Sequence, residues 1–136
     1  MRLYPERTKF RKYQRVGGEG YKTDGTQLGS GKYGPKSCEA GRISSETIEA
    51  ARRATSRRFR RNGRIWVRVF ADTPITSKPT EVRMGKGKGN PTGWVAHAVT
   101  GQISFETDGV GLSLVQEAAT LAAHRLCVST KSVQWS

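Results

Sequence analysis

The chain has 136 residues, 35% hydrophobic and 26% charged, with 24 Lys or Arg against 11 acids for a net charge of +13. That length suits one domain with a modest core, and no apolar run approaches the ~18 residues a membrane helix needs. Cys38 and Cys127 stand alone without metal-ligand spacing, and no apolar stretch follows Met1, so a metal centre, a membrane span and secretion are all unexpected.

The charge is unevenly placed. Residues 1–71 carry 18 Lys or Arg against 6 acids, whereas residues 72–136 carry 6 against 5. The first half therefore faces a polyanion, and the second reads as a nearly neutral module. The opening Arg7, Lys9, Phe10, Arg11, Lys12, Tyr13 and Arg15 interleaves cations with aromatics. Such side chains neutralise phosphates and stack on bases, and an arm this polar is expected to fold on its partner. Eight of the 16 glycines fall between Gly17 and Gly41, which excludes a long helix there. Gln27 to Ala40 is consistent with a strand or small hairpin. The arm is assigned to residues 1–24 and the globular domain to 25–136.

A helix follows, with Ser44 as N-cap, Glu46 in its first turn and Ile43 spaced from Ile48 as a hydrophobic staple. Ile48, Ala51, Thr55 and Phe59 make its apolar stripe. Arg53, Arg57, Arg60 and Arg61 cluster on the opposite side as an all-arginine face, and Asn62-Gly63 is the expected stop. Arg64 to Phe70 alternates as a strand, with Ile65, Val67 and Val69 on one side. Pro74 and Pro79 predict a loop from Asp72 to Pro79, and Glu81 to Met84 a second short strand.

That strand leads into Arg83-Met84-Gly85-Lys86-Gly87-Lys88-Gly89-Asn90. Glycines free the backbone and uncover its N–H groups while Lys86 and Lys88 supply cations, a combination suited to lying along a phosphate chain. Gly93 to Val99 and Gln102 to Thr107 are expected to pair as a hairpin across Thr100-Gly101. A second helix begins with a capping box at Ser113 and Gln116, and Val128 to Trp135 forms the last strand. Two helices against a mostly antiparallel sheet of about five strands make an α+β two-layer sandwich.

No catalytic constellation emerges. His97 and His124 lack an acid or cysteine at ligand spacing, and Asp72, Glu106 and Asp108 show no carboxylate-pair signature. The glycine-lysine loop lacks the Gly-Lys-Ser/Thr ending of a nucleotide-hydrolysing loop. Trp66, Phe70, Trp94 and Phe105 read as core. The chain is read as a non-enzyme without cofactor, metal or small-molecule substrate. A small basic RNA-processing nuclease is the alternative, and a free-standing RNA chaperone a weaker one.

Four motifs in this order carry a family resemblance: Pro5-x-Arg7-Thr8-Lys9-Phe10-Arg11-Lys12, Ile48-Glu49-Ala50-Ala51-Arg52-Arg53-Ala54, Ile65-Trp66-Val67-Arg68-Val69-Phe70 and the loop from Arg83 to Asn90. Together they closely resemble the large-subunit ribosomal protein L-sixteen family, counterpart of the archaeal and eukaryotic L-ten type. The resemblance implies a hammerhead-like fold and a ribosomal structural protein bound to large-subunit rRNA and neighbouring ribosomal proteins. It also implies a place at the aminoacyl-tRNA site near the peptidyl-transferase centre, with the loop toward tRNA. Leu3-Tyr4-Pro5, Asp24 to Gly29, Gly89 to Trp94 and Val133 to Ser136 resemble the plant mitochondrial form. The implied location is the mitochondrial matrix, with bacterial cytoplasm or chloroplast stroma as alternatives. Residues 16–23, with their acid and glycines, depart from the more basic bacterial pattern.

Overall fold

The Ser44 hydroxyl accepts a hydrogen bond from the Thr47 N–H at 3.2 Å, and Ile43 and Ile48 on either side of it are 0% and 3% exposed. In a computed structural model that describes residues 2–15 and 25–135, this cap and staple start a helix α1, Ser45–Arg58. Its buried stripe is Ile48, Ala51 and Thr55, continued by Phe59 just past the last turn. A second helix α2, Leu112–Ala123, buries Val115, Ala118 and Ala122 and packs on α1.

Among the described residues, seven strands accompany the helices: β1 Tyr33–Ser37, β2 Gly41–Ser44, β3 Arg64–Val67, β4 Thr73–Ser77, β5 Asn90–Ala98, β6 Phe105–Asp108 and β7 Thr130–Gln134. They form a four-stranded sheet ordered β3-β6-β1-β7 and a three-stranded sheet ordered β2-β5-β4, with every pairing antiparallel. The α+β class with two helices on antiparallel sheets is as expected. Two sheets replace the single five-stranded one. The core gathers residues from both, including Ile43, Ala96, Ala98 and Phe105, with Ile48 and Ala51 of α1, Ala122 of α2 and Val128 just before β7.

Several element boundaries differ from the sequence expectation. The strand from Arg64 stops at Val67, because the chain must cross to the other sheet to build β4. That strand runs through Pro74, where a loop is expected. β4 lies at the edge of its sheet, where a missing N–H is tolerated. Glu81 to Met84 is an exposed turn, with the Val82 N–H bonded to the Pro79 carbonyl at 3.2 Å, and not a strand. The chain does turn at Gly101, φ +90°, but β5 and β6 belong to different sheets and form no hairpin. Gly111, not Ser113, is the N-cap of α2, and it offers no side chain to the helix end. The stretch 27–40 yields one strand, β1, whose partners β6 and β7 are distant in sequence, and β2 follows from Gly41.

Phe105 is buried as expected, and Trp66 and Trp94 are partly so. Phe70 is 48% exposed and not part of the core. Arm residues 2–15 have no helix or strand, yet Tyr4 stacks on Trp94 with ring centroids 6.0 Å apart and planes 2° off parallel. The departure noted at 16–23 lies outside the described residues, as does most of the stretch joining arm to domain.

Candidate nucleic-acid interface

Burying the Ile48–Ala51–Thr55 stripe of α1 turns its other side outward, and Arg53 and Arg57 stand exposed there. The helix ends one turn before Asn62-Gly63. Phe59 is its C-cap, 1% exposed, and anchors the chain in a small cluster with Val115 and Ala118 of α2. Arg60 and Arg61 then take left-handed backbone conformations, φ +51° and +67°, and Gly63 follows at +78°. Two consecutive non-glycine residues in this region are uncommon and cost free energy.

The reversal folds Arg60 and Arg61 back toward the helix. With Arg52, Arg53, Ser56 and Arg57 they line an open hollow of about 430 Å³. Among the described residues, the guanidinium groups of Arg57, Arg60 and Arg61 make no ion pair. Arg64, the first residue of β3, is exposed but does not line the hollow.

The face is not all arginine. Glu49, 13% exposed, bonds the Arg52 guanidinium at 2.7 and 2.8 Å and the Arg53 Nε at 2.8 Å. The hydrogen bonds from Arg52 hold its carboxyl at about 2, against the opposing effect of burial and with further help from Arg53. Arg53 is thus already partnered, whereas Arg57, Arg60 and Arg61 are not. The pairing was visible as an i, i+3 and i, i+4 spacing. Arg52 and Ser56 are the lining residues that sequence reasoning missed. Arg58 faces away and pairs with Glu117 of α2.

The loop from Arg83 to Asn90 connects β4 to β5, and the Ser77–Asn90 pairing closes its base. Gly85, Lys86 and Gly87 all have positive φ, at +91°, +60° and +88°. Nothing approaches within 4 Å of a Cβ built on Gly85 or Gly87, and Met84 is 99% exposed. The tip stands clear of the body, as expected of a segment with so little side chain. The loop is braced from its base: the Lys78 ammonium reaches up to donate to the Gly85 carbonyl, an interaction sequence reasoning missed.

Lys86 and Lys88 differ in their surroundings. Lys86 makes no hydrogen bond or ion pair among the described residues, whereas the Lys88 ammonium donates to the Tyr13 carbonyl of the arm. In return the Lys12 ammonium donates to the Lys88 carbonyl at 3.2 Å. Farther back, Leu3 lies in a second hollow with Arg53, Arg57 and Arg125. The described arm therefore bonds the loop through Lys12 and Tyr13 and, at Leu3, borders a hollow beside the arginine helix. Arg7, Lys9, Phe10, Arg11 and Arg15 are exposed along it, with the Lys9 ammonium 5.7 Å from the Phe10 ring centroid.

Chemically the arrangement gathers guanidinium and ammonium groups of the kind that can hold anions. Among the described residues no three His, Cys, Asp or Glu side chains gather as a metal site, and no helix is long and apolar enough to cross a membrane. The profile of the family described as ribosomal protein L16p/L10e matches residues 5–133. The chain belongs to that family.

Among its relatives, the large ribosomal subunit protein uL16m of Marchantia polymorpha is 69% identical, over 98% of this chain and 99% of its own length. The uL16m of Arabidopsis thaliana is 64% identical, over 98% of this chain and 80% of its own length. The bacterial uL16 of Azorhizobium caulinodans is 52% identical, over 97% and 96% respectively. Membership makes this L16p/L10e protein a structural ribosomal component of the large subunit and not an enzyme.

Proposed function

We propose that the chain works in the large subunit of the mitochondrial ribosome, in the matrix, by holding large-subunit rRNA and lying against neighbouring ribosomal proteins. Residues 1–24 act as the arm and 25–136 as the domain that presents the cationic surfaces. Arg7, Lys9, Phe10, Arg11, Lys12 and Arg15 of the arm, and Arg53, Arg57, Arg60, Arg61 and Arg64 of the domain, bind rRNA. The loop from Arg83 to Asn90 projects toward tRNA at the aminoacyl site near the peptidyl-transferase centre. The mitochondrial placement is supported by relatives named uL16m at 61–69% identity, above the bacterial uL16 proteins at 49–52%.

The observation that carries the RNA reading is the arginine-lined hollow beside α1. Arg57, Arg60 and Arg61 converge there without an ion pair among the described residues. Like charges gathered on a rigid surface repel in the free protein, and phosphates relieve that repulsion while releasing condensed counterions. The Arg57→Glu/Arg61→Glu variant tests it on an rRNA fragment titrated across salt concentrations. Affinity falls, and the slope of log affinity against log salt becomes shallower by about 0.7–0.9 for each phosphate no longer neutralised. An unchanged slope removes this face from the interface.

A further inference from the structure

One left-handed residue suffices to end α1, and Arg60, just past the C-cap Phe59, is that residue. The second, Arg61, is not required for that, and a glycine stands available at Gly63. Asparagine or glycine is the usual occupant of a single left-handed position, and here two arginines occupy consecutive ones. The backbone is fixed on both sides. Arg60 N–H bonds the Arg57 carbonyl at 3.2 Å, Arg61 N–H reaches the Ser56 carbonyl at 3.4 Å, and Asn62 N–H bonds the Phe59 carbonyl at 2.9 Å. Buried Phe59 keeps the turn from relaxing outward. The consequence is a concave cluster on what would otherwise be a convex helix surface.

Concavity changes what such a cluster can bind. A flat row of arginines suits the evenly spaced phosphates of a regular helix, each bound singly. Arginines that together line one hollow of about 430 Å³, each ending in a guanidinium, instead suit several phosphates brought close together. Each is a planar fork able to grip a phosphate through two parallel bonds. Building on the RNA reading, we infer that the Arg60–Arg61 turn and Arg57 form one discrete site for closely spaced phosphates, as at a sharp bend of a single RNA strand. The strained backbone serves to aim the two arginines.

The full-length chain is titrated with inorganic tripolyphosphate and with orthophosphate at matched ionic strength, by calorimetry. One tripolyphosphate binds per chain, tighter than orthophosphate by about tenfold or more, the size expected from one added charge-assisted hydrogen bond. Arg60→Gly/Arg61→Gly abolishes that preference while its melting temperature stays equal or rises, because glycine relieves the left-handed backbone. Lys86→Ala/Lys88→Ala retains the preference. Equal affinity for the two anions, unsaturable binding, a lowered melting temperature in the glycine variant, or a matching loss in the lysine variant each overturns the inference. The RNA reading is scored separately by the salt slope of Arg57→Glu/Arg61→Glu on the rRNA fragment. A shallower slope without a tripolyphosphate preference leaves that reading standing and rejects the discrete site.

Discussion

Arg68 is ion-paired with Glu106, a carboxylate that is 0% exposed and that also grips a loop more than seventy residues away in sequence. The N–H groups of Gly29, Ser30 and Gly31 donate to it at 3.0, 2.6 and 2.9 Å. Burial opposes its charge, but the backbone donors and Arg68 outweigh burial and hold its carboxyl below the ordinary range. A buried charge is tolerable only when every lone pair has such a partner. The cluster ties β6 to the chain entering β1.

Glu106→Gln therefore destabilises the fold by about 2–4 kcal/mol at neutral pH, since one buried partner is removed and others are left unmatched. The sign of the pH dependence follows from the lowered carboxyl. Its stabilisation is fully present above the unfolded-state value of 4.5 and is lost as pH falls below it through the folded value. Urea denaturation of both proteins from pH 7 to pH 3 reads this as a gap that narrows toward acid. A gap that stays constant shows that the charge of Glu106 is not what holds the loop.

How far the sequence discloses this molecule depends on whether the deciding interaction is local. The cap at Ser44, the Ile43–Ile48 staple and the α1 stripe lie within a few residues of one another, and each is legible. The separation of β5 from β6 into two sheets is not, because a turn at Gly101 looks the same whether the next strand pairs back or crosses over. β4 was hidden by Pro74, whose cost vanishes at a sheet edge. Glu106 gave no local sign, since its donors at Gly29 to Gly31 come from the far end of the domain. At the interface, charge and spacing located the arginines and the loop. The convergence of Arg60 and Arg61 on a hollow needed the left-handed backbone to be seen.

Glu49 shapes the interface from within. Its bonds to Arg52 and Arg53 keep Arg53 engaged, while Arg57 has no ion pair among the described residues. Glu49→Gln releases Arg53 for phosphate, so affinity for an rRNA fragment rises severalfold and the salt slope steepens by up to about 0.9. The same change weakens α1 by about 1 kcal/mol, discounted because Arg53 is 73% exposed and its share is screened by solvent. The carboxyl ionises at about 2 in the fold against 4.5 ordinarily, so its contribution is full above pH 4.5 and fades between there and about pH 2. Salt titration with thermal melts checks both; an unchanged RNA slope shows that Arg53 lies off the RNA path.

The two loop lysines are expected to separate in function. Lys86 is exposed and makes no hydrogen bond or ion pair among the described residues, so Lys86→Ala changes stability by no more than about 0.5 kcal/mol. Lys88 is joined to the arm through Tyr13, so Lys88→Ala speeds proteolytic cleavage near residues 12–15 while leaving the domain folded. The double variant enters large subunits but impairs tRNA-dependent steps more than incorporation, measured by subunit sedimentation beside aminoacyl-tRNA binding. Failure to enter subunits at all contradicts a loop whose work is directed at tRNA.

Gly34 in β1 lies where the backbone of the neighbouring strand β6 comes very close. A Cβ there would run into the Phe105 carbonyl oxygen, with Leu28 Cδ2 at 3.0 Å and Ile103 Cγ2 at 3.2 Å. The first obstacle is backbone, which cannot rotate aside as a side chain can, so the sheet itself must shift. Gly34→Ala is accordingly expected to cost about 2–3 kcal/mol, toward the upper range for added core volume, despite a slightly stiffer unfolded chain that favours alanine. Gly85→Ala provides the contrast: open space surrounds it, and only the φ of +91° resists the methyl. Its cost is about 1 kcal/mol, felt in the loop and not in the core. Hydrogen exchange separates the two, with Gly34→Ala raising exchange throughout β1, β6 and β7. Exchange confined to residues 83–90 in both variants contradicts the close approach at Gly34.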